Sequence, residues 1–463
     1  MLDSAIEKAK EKLNKVTFYQ GYQSENSPVD LPFASLLDYR LARYQDHRIR
    51  RSLASKGVAL NSYDLFNPTD IASPDTKDIE VGYEETIVKT RDSKPCRTHC
   101  YSLIQHYGQI HKLVYQAAIR FLSIHRPDLI YIFNGRFYRE KAIWKAAQDL
   151  GIAVNFIERF SPAWEDRYFE FEKPVHSVDY RCSIMTEFWK NFTKNGDEIY
   201  ANSISDNWFL ERLVGVGQTF TLNQSDSFVR AIGNRKLITF FHSSEDELFS
   251  TNLGSNTWND QIAFLKELQG ELSRTSEFHL LIRVHPNLRH KSAREIRRWQ
   301  NFRNELNGPN VTFVMHDSSV KTYDILNESD FVITFGSTIG VEAAFQGKPS
   351  LLVSRAFHES LGVVISVGNL ADLTDTLRDG VSGDIISSLK QSTRYYGLFH
   401  AVGGKTFQNL ERRNDKTQDP SFYFEKYKIG SVKWISAIRR FEGAVKKKVV
   451  PKIELECSCL GNV

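Results

Sequence analysis

Residues 331–354 read FVITFGSTIGVEAAFQGKPSLLVS: an apolar strand, a polar turn, a helix and a second apolar strand. The β-branched and aromatic run stops at Gly336, Ser337 stands where a helix N-cap belongs, and Gly347-Lys348-Pro349 closes the helix before the next strand begins. A helix starting there points its first-turn amides into the crevice beyond the strand end, which suits a phosphate. Ser337 and Thr338 add hydroxyl donors, and Glu342, about one turn further along, is an acceptor for ribose hydroxyls. The plainer alternative makes Ser337 an N-cap and Glu342 a surface residue.

Working toward the N-terminus, VTFVMH (311–316), FHLLIRVHP (278–286) and RKLITFFHSS (235–244) are strands; KTYDILNES, SAREIRRWQNFRNELN and WNDQIAFLKELQGELSR are helices between them. Five strands separated by four helices, joined by right-handed crossovers, predict a doubly wound parallel sheet. Ligands of such sheets bind beyond the carboxyl ends of the strands, and each polar cluster here lies at such an end. In RVHPN, His285 is delivered to the strand end and Pro286 stops the ladder, so an imidazolium there suits a departing phosphate. A lone histidine is more often structural; the neighbouring cluster reverses that weighting. FFHSSEDELFS places Glu245, Asp246 and Glu247 after the first strand, either as carboxylates for catalysis or as an acidic helix start.

Further upstream, PDLIYIFNGR, FYREKAIWKAAQDL and IAVNFIE form a β-α-β unit preceded by a long helical stretch, 99–125. Asn134, Arg136, Glu158 and Arg159 lie at its strand ends and could line an acceptor site, with Glu158 a general base. An Arg–Glu ion pair closing the lobe is the structural alternative. The expected organisation is α/β with two Rossmann-like domains facing across a cleft: residues 1–220, residues 221–390, and a tail, 391–463, crossing back. Trp434, Ile438, Phe441 and Val445 give the tail a helix with one apolar face. Lys446, Lys447 and Lys448 read first as a solvated face and second as a contact for an anionic membrane surface.

Sixty basic and 56 acidic residues leave a net charge of +4, so no global field gathers nucleic acid and any anion site must be local. The charged N-terminus and the lack of a long apolar run predict a cytoplasmic chain, and five cysteines predict reduced thiols rather than a disulfide framework. Cys96, His99, Cys100 and His106 match no common zinc spacing. There is no P-loop, no GxSxG elbow, no HExxH and no Asp-x-Asp. Neither a metal nor another cofactor is therefore expected.

HSSEDE, RVHPN and TFGSTIGVEAAFQGKP, in that order, resemble the GT-B glycosyltransferases of bacterial capsule and O-antigen assembly, most closely the retaining β-Kdo transferases. The resemblance spans about residues 125–355, including NGRF (134–137) and the Glu158-Arg159 pair. The His-Pro pair with a downstream Ser-Thr also resembles the nucleotide site of bacterial sialyltransferases. It implies that His285, Ser337, Thr338 and Glu342 hold the CMP portion of CMP-Kdo, that Asp246 is the catalytic carboxylate, and that Glu158 acts as acid or base toward a glycan or glycolipid acceptor. Ser243, Ser244 and Arg283, beside these motifs, join the substrate-binding candidates. Ser161-Pro162-Ala163-Trp164 departs from the glycine-bearing loop of that family, which puts the acceptor in question. Use of a UDP- or GDP-sugar or of CDP-glycerol, nucleotide-sugar 2-epimerisation, and a non-catalytic assembly scaffold are the competing readings.

Overall fold

The computed structural model describes residues 101–159, 167–194, 196–213, 233–243, 258, 260–291, 293–306, 308–406, 410–414, 420–424 and 427–431. The chain divides into two compact units: one holds the described residues up to Pro174 and those from Gly404 onward, the other Val175–Gly403.

In the first unit, β1 (Leu129–Phe133), α2 (Tyr138–Asp149) and β2 (Ala153–Arg159) form the expected β-α-β unit, with the two strands parallel and Leu129 opposite Ala153. The helix α1 (Tyr101–His125) buries Val114, Ala117, Ala118, Phe121 and Leu122, an i, i+3, i+4 stripe. α2 buries Ala142, Ala146 and Ala147, small side chains that allow close helix packing. Two further strands extend the sheet antiparallel, β3 (Arg167–Phe171) against β2 and β10 (Lys405–Thr406) against β3. Thus the chain returns to this unit after residue 403 by strand pairing. Beyond it β11 (Leu410–Asn414), β12 (Pro420–Phe424) and β13 (Tyr427–Ser431) make an antiparallel meander. The helix expected around Trp434–Val445, the Lys446–Lys448 run and the Cys96–Cys100 segment lie outside the described residues.

The second unit is built on a six-stranded, all-parallel sheet of β4 (Lys236–Phe241), β5 (Phe278–Arg283), β6 (Val311–Val314), β7 (Phe331–Thr334), β8 (Ser350–Leu352) and β9 (Ile365–Ser366), in the order β6-β5-β4-β7-β8-β9. Counted within the sheet that order is 3-2-1-4-5-6, the Rossmann arrangement. The expected strands and helices are all present, and one more strand follows. The central strands read as continuous apolar runs because both faces are covered. On one face Ile238, Phe240, Leu280, Ile282 and Ile333 meet Phe264 and Leu268 of α5 (Gln261–Leu272) and Trp299 and Phe302 of α6 (Ala293–Glu305). On the other, Leu237, Phe241, Leu281 and Val332 meet Ile325 of α7 (Thr322–Glu328) and Ile339 and Ala343 of α8 (Ile339–Phe345).

The units divide at different residues from the expected 220 and 390. Helices α3 (Val178–Thr193) and α4 (Glu198–Leu213) lie in the second unit, as does α10 (Gly383–Val402), which follows α9 (Leu370–Asp379). α4 packs on α10 where a Cβ on Gly397 would stand 2.1 Å from Ser205 Oγ, so only glycine permits that approach. Helical periodicity shows that a helix has a buried face but not which sheet or helix covers it, and here the covering partner lies almost two hundred residues downstream.

Candidate functional site

The sheet order reverses between β4 and β7, and their carboxyl ends mark the topological switch point. Register aligns Val314, Arg283, Phe241, Thr334 and Leu352 in one row across β6, β5, β4, β7 and β8. Residues of one row in a parallel sheet share a face, so Arg283 and Thr334 point to the α7–α8 side with Phe241 between them.

His285 follows β5 by two residues and N-caps a short 3-10 helix, Pro286–His290. Its Nδ1 accepts from the Asn287 N–H at 3.0 Å, which assigns the ring proton of the neutral form to Nε2. Its own backbone N–H donates to His242 Nδ1 at 3.2 Å, and the His242 ring packs on Trp299 with centroids 4.3 Å apart. The structure therefore brings His242 into the cluster, a residue that sequence reasoning passed over although it stands in the same HSSEDE motif. Ser243 is clamped by Gln261, whose Oε1 accepts from the Ser243 N–H and whose Nε2 donates to the Ser243 carbonyl, both at 2.9 Å. Ser244 and Asp246 lie outside the described residues.

Four neighbouring strand ends carry a buried polar side chain with an atom that no hydrogen bond satisfies: His316 Nδ1 after β6, Arg283 Nε and Nη2 on β5, Ser243 Oγ after β4, and Thr334 Oγ1 on β7. Their exposures are 8%, 2%, 6% and 0%. Each unsatisfied buried polar group costs about 1–3 kcal/mol; such atoms also occur elsewhere among the described residues, as at Ser205 and Ser350, but these four stand at or next to the strand ends where ligands of such sheets bind. Burial pushes Arg283 down to about 10, against a smaller opposing pull from Asp317.

At the α8 end, Gly336 takes a left-handed φ of 111° and Thr338 is the N-cap without a side-chain cap bond; Ser337 Oγ meets the Ile339 N–H at 3.5 Å, the limit of a hydrogen bond. The first turn is tight, with Gly340 N–H on Ser337 O at 3.1 Å and Val341 N–H on Thr338 O at 3.0 Å. That corrects the expectation that all its first-turn amides face the crevice. Glu342 is also not a surface acceptor: it is 3% exposed. Arg212 of α4 donates to its Oε1 through Nε at 2.8 Å and Nη2 at 2.7 Å, and Tyr323 OH donates to Oε2 at 2.9 Å. Of about four lone-pair sites on a carboxylate, three are taken before any ribose arrives.

In the first unit Phe133 stands opposite Ile157, so the next positions, Asn134 and Glu158, are neighbours at the ends of β1 and β2. Asn134 Nδ2 donates to Glu158 Oε2. Asn134 has φ 59° and Gly135 φ 77°, both left-handed, and a Cβ on Gly135 would stand 2.4 Å from the Phe156 ring. Arg136 sits with its guanidinium 4.7 Å from the centre of the Phe137 ring. Arg159 is the last residue of β2. Strained backbone of this kind clusters at functional sites. Among the described residues, no group of three His, Cys, Asp or Glu side chains could hold a metal, and no helix is long and apolar enough to cross a membrane.

No protein-family model matches the sequence, and no curated protein does. Solved structures similar to the chain include the β-Kdo 2,7 transferase of Thermosulfurimonas dismutans KpsC, with 13% identity over 72% of this chain and 90% of that one and a TM-score of 0.36. The β-Kdo 2,4 transferase of the same KpsC shares 12% over 68% and 88%, with a TM-score of 0.35. The Neisseria meningitidis UDP-GlcNAc 2-epimerase bound to UDP-GlcNAc shares 15% over 71% and 95%, with a TM-score of 0.34. Similarity at this level adds no argument to what the strand order itself establishes, an α/β chain with a Rossmann-like parallel sheet.

Proposed function

We propose that the protein is a glycosyltransferase that takes a sugar from a nucleotide donor, Kdo from CMP-Kdo, and transfers it with retention to a glycan or glycolipid of a surface polysaccharide, without a metal. The observation that carries the donor half of this reading is the row of unsatisfied polar atoms at the switch point, where Rossmann-like sheets bind their ligands. His285, through its Nε2 proton, serves the departing CMP phosphate, beside the hydroxyls of Ser337 and Thr338. Glu342 contacts ribose only through the acceptor site that Arg212 and Tyr323 leave to it. Ser243, Ser244 and Arg283 complete the donor side. Asp246 attacks the anomeric carbon as CMP leaves; an acceptor hydroxyl, losing its proton to Glu158, then displaces Asp246, and two inversions give retention. Asn134, Arg136 and Arg159 belong to the acceptor side. Placement is in the cytoplasm, with peripheral attachment to the inner membrane through the lysine run.

A thermal-shift panel of CMP, CDP, UDP and GDP tests the donor assignment, since a ligand that binds only the folded state raises the melting temperature. CMP should give the largest shift, and His285→Ala and Ser337→Ala should each weaken it by about 1.5–3 kcal/mol. Tighter UDP binding, with CMP affinity unchanged in both variants, would replace CMP-Kdo by a UDP-sugar.

A further inference from the structure

The second unit holds a buried arginine, Arg283, and a partly buried one, Arg212, and they are satisfied in opposite ways. Arg212 meets a carboxylate, Glu342, through two of its nitrogens. Arg283 is 2% exposed, yet it donates to a neutral group, Nη1 to the Met315 carbonyl at 2.7 Å. Its Nε and Nη2 make no hydrogen bond, and the one carboxylate among the described residues that is found to act on it, Asp317, attracts it without offsetting the effect of burial. Those two nitrogens form the lateral edge of the guanidinium, whose parallel N–H groups fit a carboxylate or phosphate in a bidentate fork. A permanently charged side chain is almost never buried unless paired, and an unpaired one costs several kcal/mol.

We infer that Arg283 is the anion-binding residue of the second unit, taking an acidic group of the ligand, phosphate or carboxylate, on its Nε–Nη2 edge. The acidic group lies at the carboxyl end of β5, with His316 Nδ1 and Ser243 Oγ on the flanking strand ends as further polar contacts. Adjacent strands are about 4.8 Å apart, so one phosphate or carboxylate can span from Arg283 to either neighbour. Only the identity of the acid rests on the donor reading: a CMP-linked sugar acid carries both kinds, the nucleotide phosphate and the sugar carboxylate. Apart from an attraction from Asp317 that does not offset the effect of burial, no carboxylate among the described residues compensates the Arg283 charge, and an acidic group of the ligand can do so. Its row position also explains why it is arginine rather than lysine, since a single-point ammonium offers no lateral fork.

The test is titration of wild type, Arg283→Gln and Arg283→Lys with pyrophosphate, inorganic phosphate, a free 2-keto sugar acid, CMP and cytidine, read by calorimetry and thermal shift. Wild type should bind pyrophosphate and CMP but not respond to cytidine at the same concentration. Arg283→Gln should lose about tenfold or more in affinity for the acids, and Arg283→Lys should retain part of it. Without ligand, Arg283→Gln should melt no lower than wild type, because the substitution removes an uncompensated charge; a structural pillar would behave the other way. A response confined to phosphates assigns the fork to phosphate, and one confined to the sugar acid assigns it to carboxylate. Absence of any acid response in wild type, or equal acid binding by wild type and Arg283→Gln, overturns the inference. Pyrophosphate binding without nucleotide binding would keep the inference and remove the CMP-donor reading. Equal CMP affinity in wild type and Arg283→Gln would do the reverse.

Discussion

Replacing Arg212 by methionine should be among the most damaging single substitutions in the second unit. The guanidinium lies on Trp208 at 4.9 Å and gives two charge-assisted bonds to Glu342 Oε1, whose side chain is only 4% exposed. Burial pulls the Arg212 pKa down, but the Glu342 and Tyr323 oxygens carry it above the ordinary arginine value, so the guanidinium stays charged. Methionine retains the apolar stem and removes the charge, leaving Glu342 buried with the Tyr323 hydroxyl as its remaining donor. Breaking a buried pair from one side costs about 3–5 kcal/mol, and loss of the cation–ring contact adds about 0.5–1 kcal/mol. Removing both charges, in Arg212→Met with Glu342→Met, should recover most of that loss, because no charge is then buried alone. Urea-induced unfolding of the four proteins of the double-mutant cycle measures it. A loss under about 1 kcal/mol for Arg212→Met, or a double variant as unstable as the sum of the singles, would refute the reasoning.

Acid should weaken the fold through His358: burial, with the nearby Arg181 charge, holds it at about 4 against an ordinary 6.5. The stability present above pH 6.5 therefore falls by about 3 kcal/mol as pH drops to 4 and levels off below, a slope that His358→Asn should remove from pH-dependent melting curves. Gly135→Ala should cost about 3 kcal/mol, since it combines a left-handed φ of 77° with a Cβ 2.4 Å from the Phe156 ring; a melting temperature within a degree of wild type would contradict this. Turnover of a CMP-sugar should persist in excess EDTA, as the sequence has no Asp-x-Asp pair for a donor-bound metal. Complete loss restored by manganese would overturn that expectation.

What was legible in the sequence follows from how far each physical signal reaches. Strands buried on both faces write themselves as unbroken apolar runs, and β4, β5, β7 and β8 are found where FFHSS, RVHPN, TFGS and PSLLVS predict them. β9 is two residues long and has no run to read. β3 and β10 pair across more than two hundred residues, and a two-residue strand such as Lys405–Thr406 carries no signal of its partner. The Arg212–Glu342 bond joins residues 130 apart and was invisible for the same reason, so Glu342 read as an open acceptor when its carboxylate is mostly engaged. The sequence marks Asn134 and Glu158 individually as polar residues at strand ends, but that they bond to each other depends on the β1–β2 register.

Satisfaction of hydrogen bonds then separates roles that residue type alone leaves mixed. Glu342 is polar and buried, and partly buried Arg212 completes it, so the pair accounts for its own burial. Ser243, Arg283, His316 and Thr334 are equally buried and retain unsatisfied atoms. A fold tolerates such a cost where function requires it, because selection acts on the liganded protein and the missing partners arrive with the ligand. The cost is largest for Arg283, the one among these four that carries a permanent charge. An anion is therefore the part of the ligand that the fold specifies most strongly. The unsatisfied neutral atoms of Ser243 and Thr334 constrain its polar remainder.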